Sequence, residues 1–191
     1  GTGINFYLVG LPDNAVKESH QRIKSALKNN ALKFPGREIT INMAPADIKK
    51  EGTVFDLPIA IGILAVSQQV RIEKLKDYLM IGELSLDGSL QNCKGILPRV
   101  LQARKEGFKG IIVPEMNYHE AQLVDDIHVI PVSNIKEVIN FLNLNQIPEI
   151  KNPKSQNNEV KECVDFKDVQ GQFQVKRAFE IAAAGGHNLI L

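Results

Sequence analysis

Asp56 stands where enzymes often place a nucleophile. It lies behind a glycine and a short turn, at the head of an apolar run, in "KKEGTVFDLPIAIGIL", Lys49 to Leu64. A carboxylate there has two readings. As a cap, it accepts hydrogen bonds from the free amides of a first helical turn and meets the positive end of the helix dipole, worth roughly 0.5–2 kcal/mol. Pro58 suits the same turn, because first-turn amides have no intrahelical partner. As a catalytic acid, it needs a nucleophile or base converging on it, and the sequence names none. The cap is the expectation. A carboxylate turned from those amides and paired with a buried ammonium group inside a cleft would overturn the reading of this site as an inert scaffold.

The remaining reactive side chains are scattered. Ser85 and Ser89 flank Asp87-Gly88, a strong tight-turn signal, and are expected to be turn residues. His20, His119, His128 and His187 fall on separate elements without ligand spacing, and Asp125-Asp126 reads as a surface loop pair. No metal site is expected from them. Cys93 and Cys163 lie far apart with no Cys or His partner at metal-ligand spacing, so free thiols in a reducing cytoplasm are expected. Phe6, Tyr7, Phe34 and Phe55 each sit in an apolar run and fit core packing better than base stacking.

Charge is unevenly spread although the net value is only +1. Residues 14–37 carry Lys17, Arg22, Lys24, Lys28, Lys33 and Arg37 against Glu18 alone, whereas residues 115–168 carry ten acidic and five basic side chains. Lys17, Lys24 and Lys28 fall on one face of the first expected helix. They form either a solvated face or a nucleic-acid contact, since much of the affinity for nucleic acid comes from lysine and arginine on phosphates.

The elements that must position these residues follow from periodicity. "INFYLVG" reads as a strand; Asp13 then caps a helix whose apolar positions are Val16, Ser19, Ile23, Ala26 and Leu27. Ile39, Ile41 and Met43 alternate as a second strand. Residues 57–69 form an apolar helix expected to be buried, and "DYLMIGELSLDGSLQ" reads as a hairpin. "LPRVLQARKEG" is a helix with Pro98 in its first turn and Gly107 at its end. A buried strand "KGIIVP", a short helix "NYHEAQLVD", a strand "IHVIPV" and a helix starting at Asn134 follow. This order predicts an α+β fold, an α/β sandwich with helices packed on a mixed sheet.

Three segments are expected: a folded domain over 1–144, a mobile linker over 145–164 with too little apolar surface to offset its chain entropy, and renewed order over 165–191. In the last, Val175, Ala178, Phe179, Ala182 and Ala183 mark a helix, two glycines end it, and "HNLIL" starts a strand. No apolar run reaches the roughly 18 residues of a membrane helix, so no membrane partner is expected.

Two resemblances add to this reading. "PADIKKEG", "FDLPIAIGIL", "IGELSLDGSL" and "LPRVLQARKEGFKGIIVP" resemble the proteolytic domain of the Lon peptidases, over roughly residues 39–143. The resemblance implies a Lon protease-domain-like fold, also described as ribosomal-protein domain-2-like. It places Asp56 at the position of the catalytic serine and Leu97, within one residue, at that of the lysine. An aspartate is not an activated hydroxyl, a leucine takes no proton, and Lys94 beside it has no serine to activate. No catalytic residue is therefore expected. An active peptidase would require Ser85 or Ser89.

"FYLVGLPDNAVKES", "PADIKKEGTVFDLPIAIGIL", "GELSLDGSL" and "DVQGQFQVKRAFEIAAAGGHNLIL" together resemble the ComM/YifB group, often labelled magnesium-chelatase-like, over nearly the whole chain. That resemblance implies a Lon-like accessory domain ahead of an AAA+ ATPase module. The full-length protein would be a hexameric, cytoplasmic ring motor using ATP and Mg2+ and acting on DNA. It would be a helicase or branch-migration activity in recombination or competence. Val169 and Gly171 would lie on the adenine side of the nucleotide. No phosphate loop of the form G-x-x-x-x-G-K-[ST] occurs in the sequence, so no ATP hydrolysis and no cofactor are expected of the fragment by itself. The alternatives are a protein-interaction module with no DNA contact and a metal-chelatase-type subunit.

Overall fold

Residues 6–149 and 169–186 are described by the computed structural model. They belong to two units, Gly1–Ile150 and Lys151–Leu191.

In the first unit, β1 (Phe6–Val9) leads into α1 (Asn14–Asn29). Asp13 caps α1 through the Val16 N–H at 2.7 Å. The buried residues of α1 are Val16, Ser19, Ile23, Ala26 and Leu27, the stripe that its 3.6-residue period specifies. β2 (Ile39–Asn42) pairs with β1 in parallel, Phe6 opposite Ile39. A single 3-10 turn, Thr53–Phe55, precedes α2 (Asp56–Val66). α2 ends three residues earlier than its apolar run suggests. The Ser67 hydroxyl bonds back to the Ile63 carbonyl, and Gln68 takes a left-handed backbone (φ 59°).

The run read as one hairpin is divided between two sheets. β3 (Tyr78–Met80) pairs in parallel with β6 (Gly110–Pro114), which pairs in parallel with β7 (His128–Val132). Only β4 (Glu83–Leu84) and β5 (Leu90–Gln91) make the antiparallel hairpin around Gly88. α3 (Ile96–Lys105) joins β5 to β6, and a 3-10 turn at Glu115–Asn117 followed by α4 (Tyr118–Ala121) joins β6 to β7. α5 (Ile135–Leu144) starts at Asn134, whose side chain accepts the Glu137 N–H.

β6 is buried along its whole length, as a central parallel strand covered on both faces must be. Its alternate residues feed two cores. Ile112 joins α1, α2 and α5 side chains around Leu57, Ile61 and Phe141, while Ile111 and Val113 join Ile96, Val100 and Ala121. The result is the α+β fold expected from the sequence. Phe6, Phe34 and Phe55 pack against the first core. Tyr7 does not: its neighbours Phe6 and Leu8 face inward, so strand alternation turns it outward, 47% exposed. α2 is buried over most of its length, as expected of a core helix, but Gly62 is open and Val66 is 88% exposed.

In the second unit the described structure is α6 (Phe173–Gly185), capped by Gly186 at φ 62°. The strand expected at "HNLIL", and residues 150–164 of the expected linker, lie outside the described residues.

Candidate functional site

Asp56 is fully buried, and it is not a cap. Its carboxylate meets Arg22 of α1 in a two-toothed contact. Nε donates to Oδ2 at 2.6 Å and Nη2 donates to Oδ1 at 2.9 Å. Oδ2 also accepts the Leu84 N–H of β4 at 3.2 Å. The cap expectation fails because both carboxylate oxygens are engaged by Arg22 and the Leu84 N–H, and Pro58, one of the two residues such a cap would serve, has no N–H. The Asp56 N–H bonds to the Thr53 carbonyl, and the Leu57 N–H bonds to the Gly82 carbonyl at 3.0 Å. Arg22 makes a further bond to the Ala15 carbonyl, and Glu18 approaches it at 3.8 Å. Burial pushes the Asp56 carboxyl up, against the pull of Arg22 and the Leu84 amide. The bonds to Asp56 push Arg22 up, so the guanidinium stays charged. A guanidinium of this kind takes no proton, and both carboxylate oxygens are engaged within the fold. The arrangement is an ion-pair lock joining α1, α2 and β4.

The neighbouring positions have no free nucleophile or base directed at Asp56. Thr53 donates its hydroxyl to Glu83. The Leu97 side chain packs against the second core and its N–H donates to Glu120 at 3.0 Å; Lys94 is exposed. Ser89 bonds to the Asp87 carboxylate through both its N–H and its hydroxyl, and Ser85 receives the Gln91 amide. Burial raises the Cys93 thiol, and Asn117 holds its backbone at both N–H and carbonyl. Cys163 lies outside the described residues. His20 stacks on Phe6, centroids 4.4 Å apart. Asp125 and Asp126 are exposed. Among the described residues no group of three or more His, Cys, Asp or Glu is placed to hold a metal ion.

Lys17, Lys24 and Lys28 are all exposed on the side of α1 away from its buried stripe, and none forms an ion pair among the described residues. α1 is fixed at three places. Asp13 accepts the Gly52 N–H at 3.0 Å, Arg22 grips Asp56, and Asn29 and Asn30 donate to the Leu86 and Asp87 carbonyls of the hairpin at 2.8 and 2.7 Å. A Cβ on Gly88 would lie 2.2 Å from the Asn30 amide nitrogen, so that contact requires glycine. Arg22, counted in the basic stretch from sequence, is withdrawn into the lock. Sequence reading missed that role, although Arg22 sits on the flank of the apolar stripe. In the second unit, Val169 and Gly171 form the bend before α6; the Val169 carbonyl accepts from Lys176, and Gly171 has φ 72°.

The family profile described as "Subunit ChlI of Mg-chelatase" matches residues 1–117. The chain belongs to this ChlI/Mg-chelatase family. A second profile, "Magnesium chelatase, subunit ChlI", matches residues 165–191. Competence protein ComM of Haemophilus influenzae is 43% identical over 97% of this chain and 37% of its own length. YifB of Escherichia coli is 41% identical over 96% of this chain and 36% of its own. The chain therefore spans little more than a third of these relatives. Lon protease 2 of Bacillus subtilis is 27% identical over 71% of this chain and 24% of its own length. That relation agrees with the α+β fold seen here. Among the described residues, no helix is long and apolar enough to cross a membrane.

Proposed function

We propose that the chain is the front part of a cytoplasmic, ATP-driven AAA+ ring motor acting on DNA, and that this part is not itself catalytic. Residues 1–144 serve as a Lon-like accessory domain without the peptidase dyad, 145–164 as a linker and 165–191 as the start of the ATPase domain. ATP and Mg2+ belong to the full-length protein, which closes into a hexamer. Val169 and Gly171 lie toward its adenine.

The observation that carries the DNA arm is the α1 face: three exposed lysines, unpaired among the described residues, on a helix held in place at both ends and in the middle. Lys17 to Lys28 spans eleven residues, about 16 Å of helix, enough to follow several phosphates of one strand. The non-catalytic part rests on a buried carboxylate and a leucine at the dyad positions. Family membership supports the motor.

A salt titration of binding to labelled single- and double-stranded DNA tests the reading. Affinity should fall steeply with salt. Changing Lys17, Lys24 and Lys28 together to alanine should lower the slope of log affinity against log salt by about 2–3, since each phosphate contact contributes roughly 0.7–0.9. No binding at low salt, or an unchanged slope, removes the DNA arm.

A further inference from the structure

A groove of about 1240 Å3 runs beside α2, between its outer face and β2. One wall is a strand edge. β2 ends its sheet, pairing only with β1 among the described residues, and all of Ile39–Asn42 lines the groove. Among the described residues its second edge has no strand partner, which leaves backbone N–H and carbonyl groups open to one. The floor is apolar: Phe55, Pro58, Ile59, Ile63 and Val66. Gly62 lies in that floor, and a Cβ there would meet nothing within 4 Å.

The third feature is charged. Lys50 lines the groove and is only 8% exposed. Its ammonium donates to the carbonyls of Pro45 and Ile48 and has no carboxylate partner among the described residues. Its backbone is pinned to the loop before α1, by Lys50 N–H to the Leu11 carbonyl at 3.1 Å and Asp13 N–H to the Lys50 carbonyl at 2.9 Å. An ammonium that donates only to neutral carbonyls among the described residues keeps its charge available to an anion.

We propose that this groove binds an extended peptide segment of a partner protein, which pairs with β2, lays apolar side chains over Gly62 and sets an Asp or Glu carboxylate against Lys50. Main-chain pairing gives such a site its affinity, and the alternating side chains give it selectivity. A free strand edge recognises an extended backbone, the apolar floor recognises every second side chain, and the uncompensated charge fixes one of them as acidic. Lys17, Lys24 and Lys28 line no part of the groove, so the peptide site does not depend on DNA binding.

The test uses the full 191-residue chain and fluorescein-labelled nine-residue peptides of alternating Thr and Val, with a single Asp moved through each position. Anisotropy should show at least one register binding ten-fold or more tighter than its Asn counterpart. On Lys50→Met the two should bind alike. Gly62→Leu fills the groove at a helical position with open space, raises helix propensity, and should abolish binding with no fall in Tm. The Lys17→Ala, Lys24→Ala, Lys28→Ala variant should bind the peptide as the parent does. The proposal is overturned if no Asp register exceeds its Asn counterpart, if Gly62→Leu still binds, or if the lysine variant loses the peptide. It is overturned equally if the chain forms a dimer that Gly62→Leu dissolves, for the groove would then belong to a second copy.

Discussion

Arg22 and Asp56 bind each other in a site where neither is tolerable alone. Truncating one partner of a buried pair leaves an uncompensated charge, which costs about 3–5 kcal/mol, whereas replacing both with apolar residues of similar size is often neutral. Asp56→Ala should therefore lower the urea-unfolding free energy by about that amount. The double change Arg22→Met with Asp56→Leu should recover most of it. His20 offers a second prediction. Its ring stacks on Phe6, and its Nε2 is buried without a partner among the described residues. Burial, then the charge of Lys24, holds its pKa below the ordinary value of 6.5. The unfolded chain then binds the proton more readily than the folded one, so stability falls as pH drops below about 6.5 and on through the lowered value. His20→Phe should flatten the Tm difference between pH 7.5 and pH 5. The position of Asp56 was legible in sequence, but its role was not. A first-turn carboxylate reads as a cap, and only the fold shows Arg22 and the Leu84 N–H occupying its oxygens.

Among elements, α1 depends most on a single residue. Asp13 caps it and also receives the Gly52 N–H from the loop ahead of α2. Those two bonds, Val16 first, hold its carboxyl below the usual carboxylate range. The stabilisation is full above about pH 4 and is lost as pH falls through the lowered value. Asp13→Ala should cost about 1–2 kcal/mol near neutral pH, read by chemical denaturation, with the difference from the parent shrinking toward pH 2. Elements with one strong period were legible: the cap and buried stripe of α1, the wholly apolar β6 and the Asn134 start of α5 all follow from spacing. The β3–β4 division was not. Alternation reports which residues face inward, not which strand they pair with, and Tyr78–Met80 finds its partner more than thirty residues away in β6. The bare face of α2 was illegible for a related reason. An apolar helix announces a need for cover, but not which side the chain will cover.

For the whole molecule, the two units carry different parts of the reading. The first holds the Arg22–Asp56 pair, the lysine face and the groove; the second holds the bend at Val169 and Gly171 before α6. DNA binding and peptide capture should be separable in one preparation, because the lysine variant and Gly62→Leu touch different surfaces. The three-point attachment of α1 has a dynamic consequence. A rod bolted at each end and at its middle cannot roll or tilt, so only the lysine side chains adjust when a polyanion arrives. The backbone resonances of 14–29 should then show little microsecond-to-millisecond exchange in relaxation-dispersion spectra, and loosening one bolt with Gly88→Ala should introduce it at the far end of the rod.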